Sequence, residues 1–258
     1  MALPGVTTAI KLDLVVPTPV PARTDRQGNA VTNTMLLSIP EGEFSALRPL
    51  LEPVNLPRHQ VLYEQGQKIE YAYFPNDGMV SLVVIANDGR TVEVGICGRH
   101  GVVGVALAFG LNDAFSRAIG QMPGSGLRIS STFLPETFDQ CPVLRRKIER
   151  YVLTEQLQVA QIAACNRLHD MDQRLARWLL MCQDTIDSGL LPLTHEFIAQ
   201  MLGSGRPTVT IAAGVLERAG LIENTRGNVK IVNRKRLEDA ACECYGAIQN
   251  FHTALALQ

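Results

Sequence analysis

Aromatic residues are scarce, at 5% of the chain with a single tryptophan, and charge is low and balanced, at 19% with a net −1. No surplus of basic residues marks the whole chain as a polyanion binder, so any contact with nucleic acid must come from a local basic surface. No apolar run approaches the ~20 residues that would cross a bilayer. The start lacks a basic stretch, a long apolar segment and a small-residue cleavage site, which makes a cytoplasmic protein without membrane contact the expectation. Only six cysteines occur, Cys97, Cys141, Cys165, Cys182, Cys242 and Cys244. They are scattered through apolar patterns, as reduced buried thiols are, and not spaced as a disulfide framework. Phosphate loops, His/Glu pairs at helical metal spacing and a nucleophile beside a base are all missing, so an enzyme is not expected and no catalytic residue is assigned.

The 258 residues, 46% of them apolar, suffice for two ordinary domains. Residues 1–32 carry Pro4, Pro17, Pro19 and Pro21 and end in "ARTDRQGNA", a pattern read as a flexible arm. From residue 33, "NTMLLSIPEGEFSALRPLLEP" predicts short helices. Between 54 and 130 short β-rich runs are punctuated by Asn-Asp-Gly and Pro-Gly-Ser-Gly, which predicts an antiparallel barrel or jelly roll with tight hairpins.

After Pro142 the punctuation stops, and "VLRRKIERYVLTEQLQVAQIAACNRLH" predicts one long helix. Leu153, Leu157, Ala160 and Ala164 recur at four, three and four, a coiled-coil-like stripe read as the seam of a homodimer. Arg167-Leu168-His169 is the expected joint, followed by a helix that Asp170 and Gln173 open with a capping box.

The stretch "THEFIAQMLGSGRPTVTIAAGVLERAG" carries the clearest functional signal. Thr194 is placed to cap a short helix and Gly203 to end it; Ser204 or Gly205 opens the next, with Pro207 in its first turn. Val209, Ala212, Leu216 and Ala219 form the expected buried stripe, leaving Arg206, Thr208, Thr210, Ile211, Gly214 and Arg218 towards the open side. This is a helix-turn-helix pattern. "LIENTRGNVKIVNRKRLEDA" then predicts a β-wing with Arg226, Lys230, Arg234, Lys235 and Arg236 as candidate phosphate contacts. The expected class is α+β: an N-terminal antiparallel β-roll (jelly-roll-like), a long dimerisation helix and a C-terminal winged helix-turn-helix. The expected boundaries are 1–32 for the arm, 33–141 for a sensory roll, 142–169 for the dimerisation helix and hinge, and 170–258 for the DNA-binding domain.

In this order the motifs resemble the CRP/FNR superfamily of bacterial transcription regulators, over residues 35–245. The resemblance implies a homodimer on a palindromic double-stranded operator with half-sites about 34 Å apart, and RNA polymerase as a further contact. It places Arg206 where members carry an arginine for a guanine or phosphate, Pro207 where many carry a base-reading glutamate, and Ile211 where they carry a second arginine. The implied DNA-binding set is Thr194, Ser204, Arg206, Pro207, Thr208, Thr210, Ile211, Arg226 and Lys230. For the family's cyclic-nucleotide pocket the matching positions are Gly104, Val105, Ser116, Arg117, Gln158 and Gln161. Here the Gly-Glu pair reads Gly104-Val105, which removes the ribose carboxylate, so regulation by cAMP is not expected and the effector is unassigned.

No cofactor or metal is expected. The cysteine ligands of FNR-type members lie N-terminal, and this chain has none before Cys97. Cys242-Glu243-Cys244 lacks two further partners at metal-site spacing and reads as a pair of thiols on a C-terminal helix. His100 reads as a surface histidine and not as a haem ligand. The competing function is a signalling adaptor that uses roll and winged helix as protein-binding surfaces.

Overall fold

A computed structural model describes residues 22–254. The first 21 residues of the expected arm lie outside the described residues. The remainder of it, 22–32, is not free chain. Thr24 and Ala30 form an antiparallel bridge, and Asp25 accepts the Gln27 and Asn29 backbone N–H groups at 2.8 and 2.9 Å. Arg23 is buried, donates to the Leu36 and Ile39 carbonyls and lies 4.7 Å from the Phe44 ring centre. One arginine thus satisfies carbonyls at the end of the first helix, which is why the expected flexibility stops before this segment.

The roll begins with α1 (Thr34–Leu37) and α2 (Glu41–Leu47) and continues through seven strands: β1 (Glu52–Leu56), β2 (Val61–Tyr63), β3 (Tyr71–Pro75), β4 (Met79–Ile85), β5 (Thr91–Cys97), β6 (Arg117–Met122) and β7 (Gly124–Ser130). They form two antiparallel sheets, ordered β1-β7-β3 and β2-β6-β4-β5. The turn into β4 needs Gly78: its φ is +73°, and a Cβ there would stand 2.8 Å from the Met122 carbonyl oxygen. Leu36, Leu56, Phe74, Leu127 and Ile129 fill the core.

Two helices follow, α3 (Leu134–Gln140) and the 27-residue α4 (Pro142–Leu168). No side chain of its own caps α4. Glu43 of α2 does so instead, accepting the Val143 and Leu144 N–H groups at 2.9 Å each. Leu144, Ile148 and Tyr151 bury one face of α4 in the roll core.

The chain turns at His169, and α5 (Met171–Ile186) opens with the expected capping box, the Asp170 N–H donating to Gln173 Oε1 at 3.3 Å. Beyond it lie β8 (Leu190–Leu191), α6 (His195–Met201), α7 (Arg206–Arg218), β9 (Ile222–Thr225), β10 (Asn228–Ile231), α8 (Arg234–Ala240) and α9 (Cys244–Ala254). The three short strands pair antiparallel in the order β8-β10-β9. Leu175, Trp178, Leu179, Ile198, Val209, Leu216, Ile222 and Leu237 form a second core, which Met79, Val83 and Met122 of the roll enter. Winged helix and roll therefore share apolar surface.

A polar contact crosses the same junction. Trp178 Nε1 donates to Glu93 Oε1 at 2.6 Å, and Ser81 donates to the other carboxylate oxygen. Burial pushes the Glu93 carboxyl up to about 7, more than these bonds and the nearby Arg177 charge lower it. A raised carboxyl stabilises the fold fully below the usual carboxylate range, and that contribution is lost as pH rises through about 7. Emission from Trp178, the sole tryptophan, is expected to titrate near pH 7 in the native chain and to become flat there in Glu93→Gln. A titration that survives Glu93→Gln would assign the transition to another group.

Candidate nucleic-acid interface

The helix-turn-helix is built from local capping. Thr194 Oγ1 accepts the Phe197 N–H at 3.2 Å and starts α6. Gly203 takes φ +60° and turns the chain; the Ser204 N–H closes on the Ala199 carbonyl at 2.9 Å; Gly205 is the cap residue of α7. Pro207 sits in the first turn, where its missing N–H leaves no bond unmade. Val209, Ala212, Ala213 and Leu216 are the buried stripe of α7. Ala219, expected in that stripe, is exposed, because α7 ends at Arg218 and the chain then veers off through Gly220.

The opposite face is open. Arg206, Pro207, Thr208, Thr210 and Arg218 are exposed, and Ile211 is 69% accessible. Ile211, and Val215 one turn on at 38%, leave apolar side chains in water on a face of arginines and threonines.

A polar chain absent from sequence reasoning fixes this face to the wing. Thr210 donates to the Arg206 carbonyl at 3.0 Å and lies 3.1 Å from His195 Nδ1, while His195 Nε2 lies 3.2 Å from the Asn224 side-chain amide. Glu217 accepts the Asn224 N–H at 2.8 Å. The Thr210 hydroxyl is therefore partly committed to its own scaffold. Its spacing from His195 is 15 residues and that of His195 from Asn224 is 29, too far for any periodicity to reveal.

In the wing, Arg226 is exposed at the β9–β10 turn, and Lys230 is exposed with only a 3.4 Å contact to Glu223. Lys235 and Arg236 also face water. Arg234, expected among the phosphate contacts, is spent internally. It pairs with Asp184 at 2.7 Å and Glu238 at 2.9 Å and donates to Tyr245 at 2.7 Å. Ser204 is half-buried in the turn, and the Thr194 hydroxyl serves as a cap.

The six expected effector residues are not gathered. Arg117 opens β6, half-buried, and is ion-paired to Glu64 at 2.7 Å. It lines a cleft of about 1030 Å³ between the β4–β5 hairpin and the α6–α7 turn. Gln158 is buried 3.2 Å from His252 of α9 and lines a different cleft of about 620 Å³, with Tyr151, Glu155 and His100. Gln161 donates to Cys244 Sγ at 3.1 Å. Gly104, with φ +80°, precedes a short 3₁₀ turn that begins at Val105. Ser116 lines neither cleft.

The seam residues lie on the uncovered side of α4. Leu153 is 45% and Leu157 36% exposed, and Ala160 and Ala164 are exposed beside them.

Two family descriptions match in the order of the fold, a cyclic nucleotide-binding domain over residues 53–139 and a Crp-like helix-turn-helix domain over residues 173–240. The chain belongs to the CRP/FNR superfamily of transcription regulators. As a member it is a transcription regulator of helix-turn-helix type and not an enzyme. It is 28% identical over 189 residues to a global nitrogen regulator of Nostoc sp., covering 69% of this chain and 82% of that one. Over 201 residues it is 24% identical to a CRP-like cAMP-activated global transcriptional regulator of Mycobacterium tuberculosis, covering 75% and 90%. The structure of FixK2 from Bradyrhizobium japonicum shares the fold, with a TM-score of 0.63, 18% identity and coverage of 74% and 98%.

One expectation about this superfamily member is overturned by its own geometry. Cys242 and Cys244 do have two further partners at metal-site distance, Cys165 and His169 from the end of α4.

Proposed function

We propose that this regulator works as a homodimer that reads inverted half-sites, with α7 in the major groove and the wing on the flanking backbone. The observation that carries the reading is the open face of α7, where Arg206 and Ile211 are exposed, together with the exposed Arg226 of the wing. Arg206 supplies hydrogen bonds to guanine or phosphate, and Ile211 an apolar contact to a thymine methyl. Pro207 offers no side-chain acceptor there, so the operator differs from one read by a glutamate at that position. Residues 33–141 serve as the sensory roll, 142–169 as dimer helix and hinge, and 170–258 as the DNA-binding domain. The uncovered Leu153–Ala164 stripe supports the dimer. A pocket in which Arg117, Gln158 and Gln161 each engage a different partner supports control by something other than cAMP. The regulator's working place is then the cytoplasm, with RNA polymerase a further contact.

Selection of bound genomic fragments by the full-length protein, followed by gel shifts, tests this. A palindromic site is expected, with affinity falling about 10³-fold or more between 50 and 200 mM salt if six or more phosphates are contacted. Arg206→Ala is expected to lose about 10- to 100-fold on that site, and saturating cAMP to change nothing. Binding indifferent to salt and sequence would favour the adaptor reading instead.

A further inference from the structure

The last turn of α4 places Cys165 and His169 one turn apart, on one face. The bend between α8 and α9 brings Cys242 and Cys244 against that face. Cys165 and Cys242 Sγ are 3.4 Å apart, Cys244 Sγ is 3.6 Å from His169 Nδ1, and all four donor atoms lie within 4.8 Å of one another. A tetrahedral zinc with bonds of about 2.3 Å to sulfur and 2.0 Å to nitrogen has ligand–ligand edges of roughly 3.5–3.8 Å. We propose that Cys165, His169, Cys242 and Cys244 form a mononuclear Cys3His site for a thiophilic divalent cation, zinc, which pins the C-terminal segment to the hinge end of the long helix.

Three further features around the donors are those of a metal site. Glu243 Oε1 lies 3.1 Å from His169 Nε2, which directs Nδ1 towards the three sulfurs; a carboxylate behind a ligating histidine orients the ring and raises its basicity. Gln161 Nε2 donates to Cys244 Sγ at 3.1 Å, as amide groups do to metal-bound thiolates. The third is charge. Zinc with three thiolates and a neutral histidine carries −1. Beside Cys165 lies Arg177, 2% exposed, with its Nε unpartnered and no carboxylate ion pair among the described residues. Glu93, whose carboxyl burial pushes up to about 7, offsets this buried charge only in part, and the anionic centre supplies further counter-charge.

The spacing also selects among thiolate chemistries. Four donors this close enclose one ion, whereas an iron–sulfur cluster distributes its cysteines over several irons and spreads them wider. A Cys165–Cys242 disulfide would use two of the four groups and leave Cys244, His169 and its Glu243 without a purpose. Borderline-soft zinc suits a mixed thiolate and imidazole set better than magnesium or calcium, which take oxygen.

The site joins segments 77 residues apart across the joint where the DNA-binding domain leaves α4. Loading therefore restrains the angle between the two. That consequence rests on the DNA-reading proposal; the metal site itself does not.

The test uses the full chain, purified reduced and loaded with zinc or with cobalt alone. One zinc per chain is expected, and cobalt is expected to show the visible bands of a tetrahedral thiolate complex. Cys242→Ser with Cys244→Ser is expected to abolish the bands and weaken zinc binding by at least 100-fold, and Cys97→Ser to leave both unchanged. His169→Cys keeps four ligands, so it is expected to retain a tetrahedral spectrum with altered bands even if the serine variant folds poorly. Glu243→Ala is expected to cost about 10- to 100-fold in zinc affinity. Hydrogen exchange of α9 in the loaded chain is expected to speed up on chelation, independently of any DNA. Absence of stoichiometric metal, an iron–sulfur chromophore, or a Cys165–Cys242 disulfide in the purified chain would overturn the proposal.

Discussion

Leu153→Glu together with Leu157→Glu is expected to make the chain monomeric and to lower its affinity for a palindromic site by more than about 100-fold. Both leucines stand on the open face of α4, 45% and 36% exposed. In a two-fold seam each meets its own copy or a close neighbour, so four leucines are removed at once. Burial of a leucine is worth about 1.5–3 kcal/mol, and these are already partly covered, which leaves roughly 1–2 kcal/mol apiece. Four carboxylates brought together in the same strip add desolvation of several kcal/mol each. At 1.4 kcal/mol per decade, association weakens by several orders of magnitude. The roll core reaches α4 through Leu144, Ile148 and Tyr151, on the other side of the helix, so the fold of each chain survives. Sedimentation of the double variant checks this, and a persistent dimer would move the interface elsewhere.

Trp178→Ala is expected to give the largest loss of stability of any single change in the winged helix. Trp178 is 2% exposed in the core that Met79, Val83 and Met122 of the roll share, and its indole N–H satisfies buried Glu93. Large-to-small truncation at such a site costs about 3–5 kcal/mol. Leaving the Glu93 carboxyl without this donor adds about 1–3 kcal/mol. For a chain of this size each kcal/mol lowers Tm by about 2–4 °C, so a drop of 10 °C or more is expected by circular dichroism. Trp178→Phe keeps most of the volume and loses only the bond, so it is expected to fall between the two. A shift in Trp178→Ala below about 2 °C would mean that roll and winged helix do not unfold together.

Both predictions lean on features that differ in how far the sequence discloses them. The stripe on α4 is a periodicity, and periodicity survives in the bare sequence because helix geometry is local. So does the helix-turn-helix: Thr194 caps, Gly203 turns, Pro207 opens, and each acts within four residues. The error at Ala219 has the same origin in reverse, since a repeat of three and four does not say where a helix ends.

The Trp178–Glu93 contact spans 85 positions, and no spacing rule connects a strand of the roll to a helix beyond the hinge. The ion pairs of Arg117 with Glu64 and of Arg234 with Asp184 span 53 and 50 residues, beyond the reach of any local spacing rule. Residues 22–32 read as a flexible arm because nothing in their composition shows that Arg23 reaches the Leu36 and Ile39 carbonyls.

By itself, then, the sequence determined the elements and their order: roll strands, a long helix with one apolar stripe, a capped hinge and a winged helix-turn-helix. Short-range capping, turn chemistry and periodicity suffice for that. Only the tertiary structure decided how the winged helix folds back on the roll, which cations are already neutralised, and that Cys242 and Cys244 meet Cys165 and His169. Those outcomes depend on side chains far apart in the sequence that only the folded chain brings together, and the chain's local preferences carry no record of that meeting.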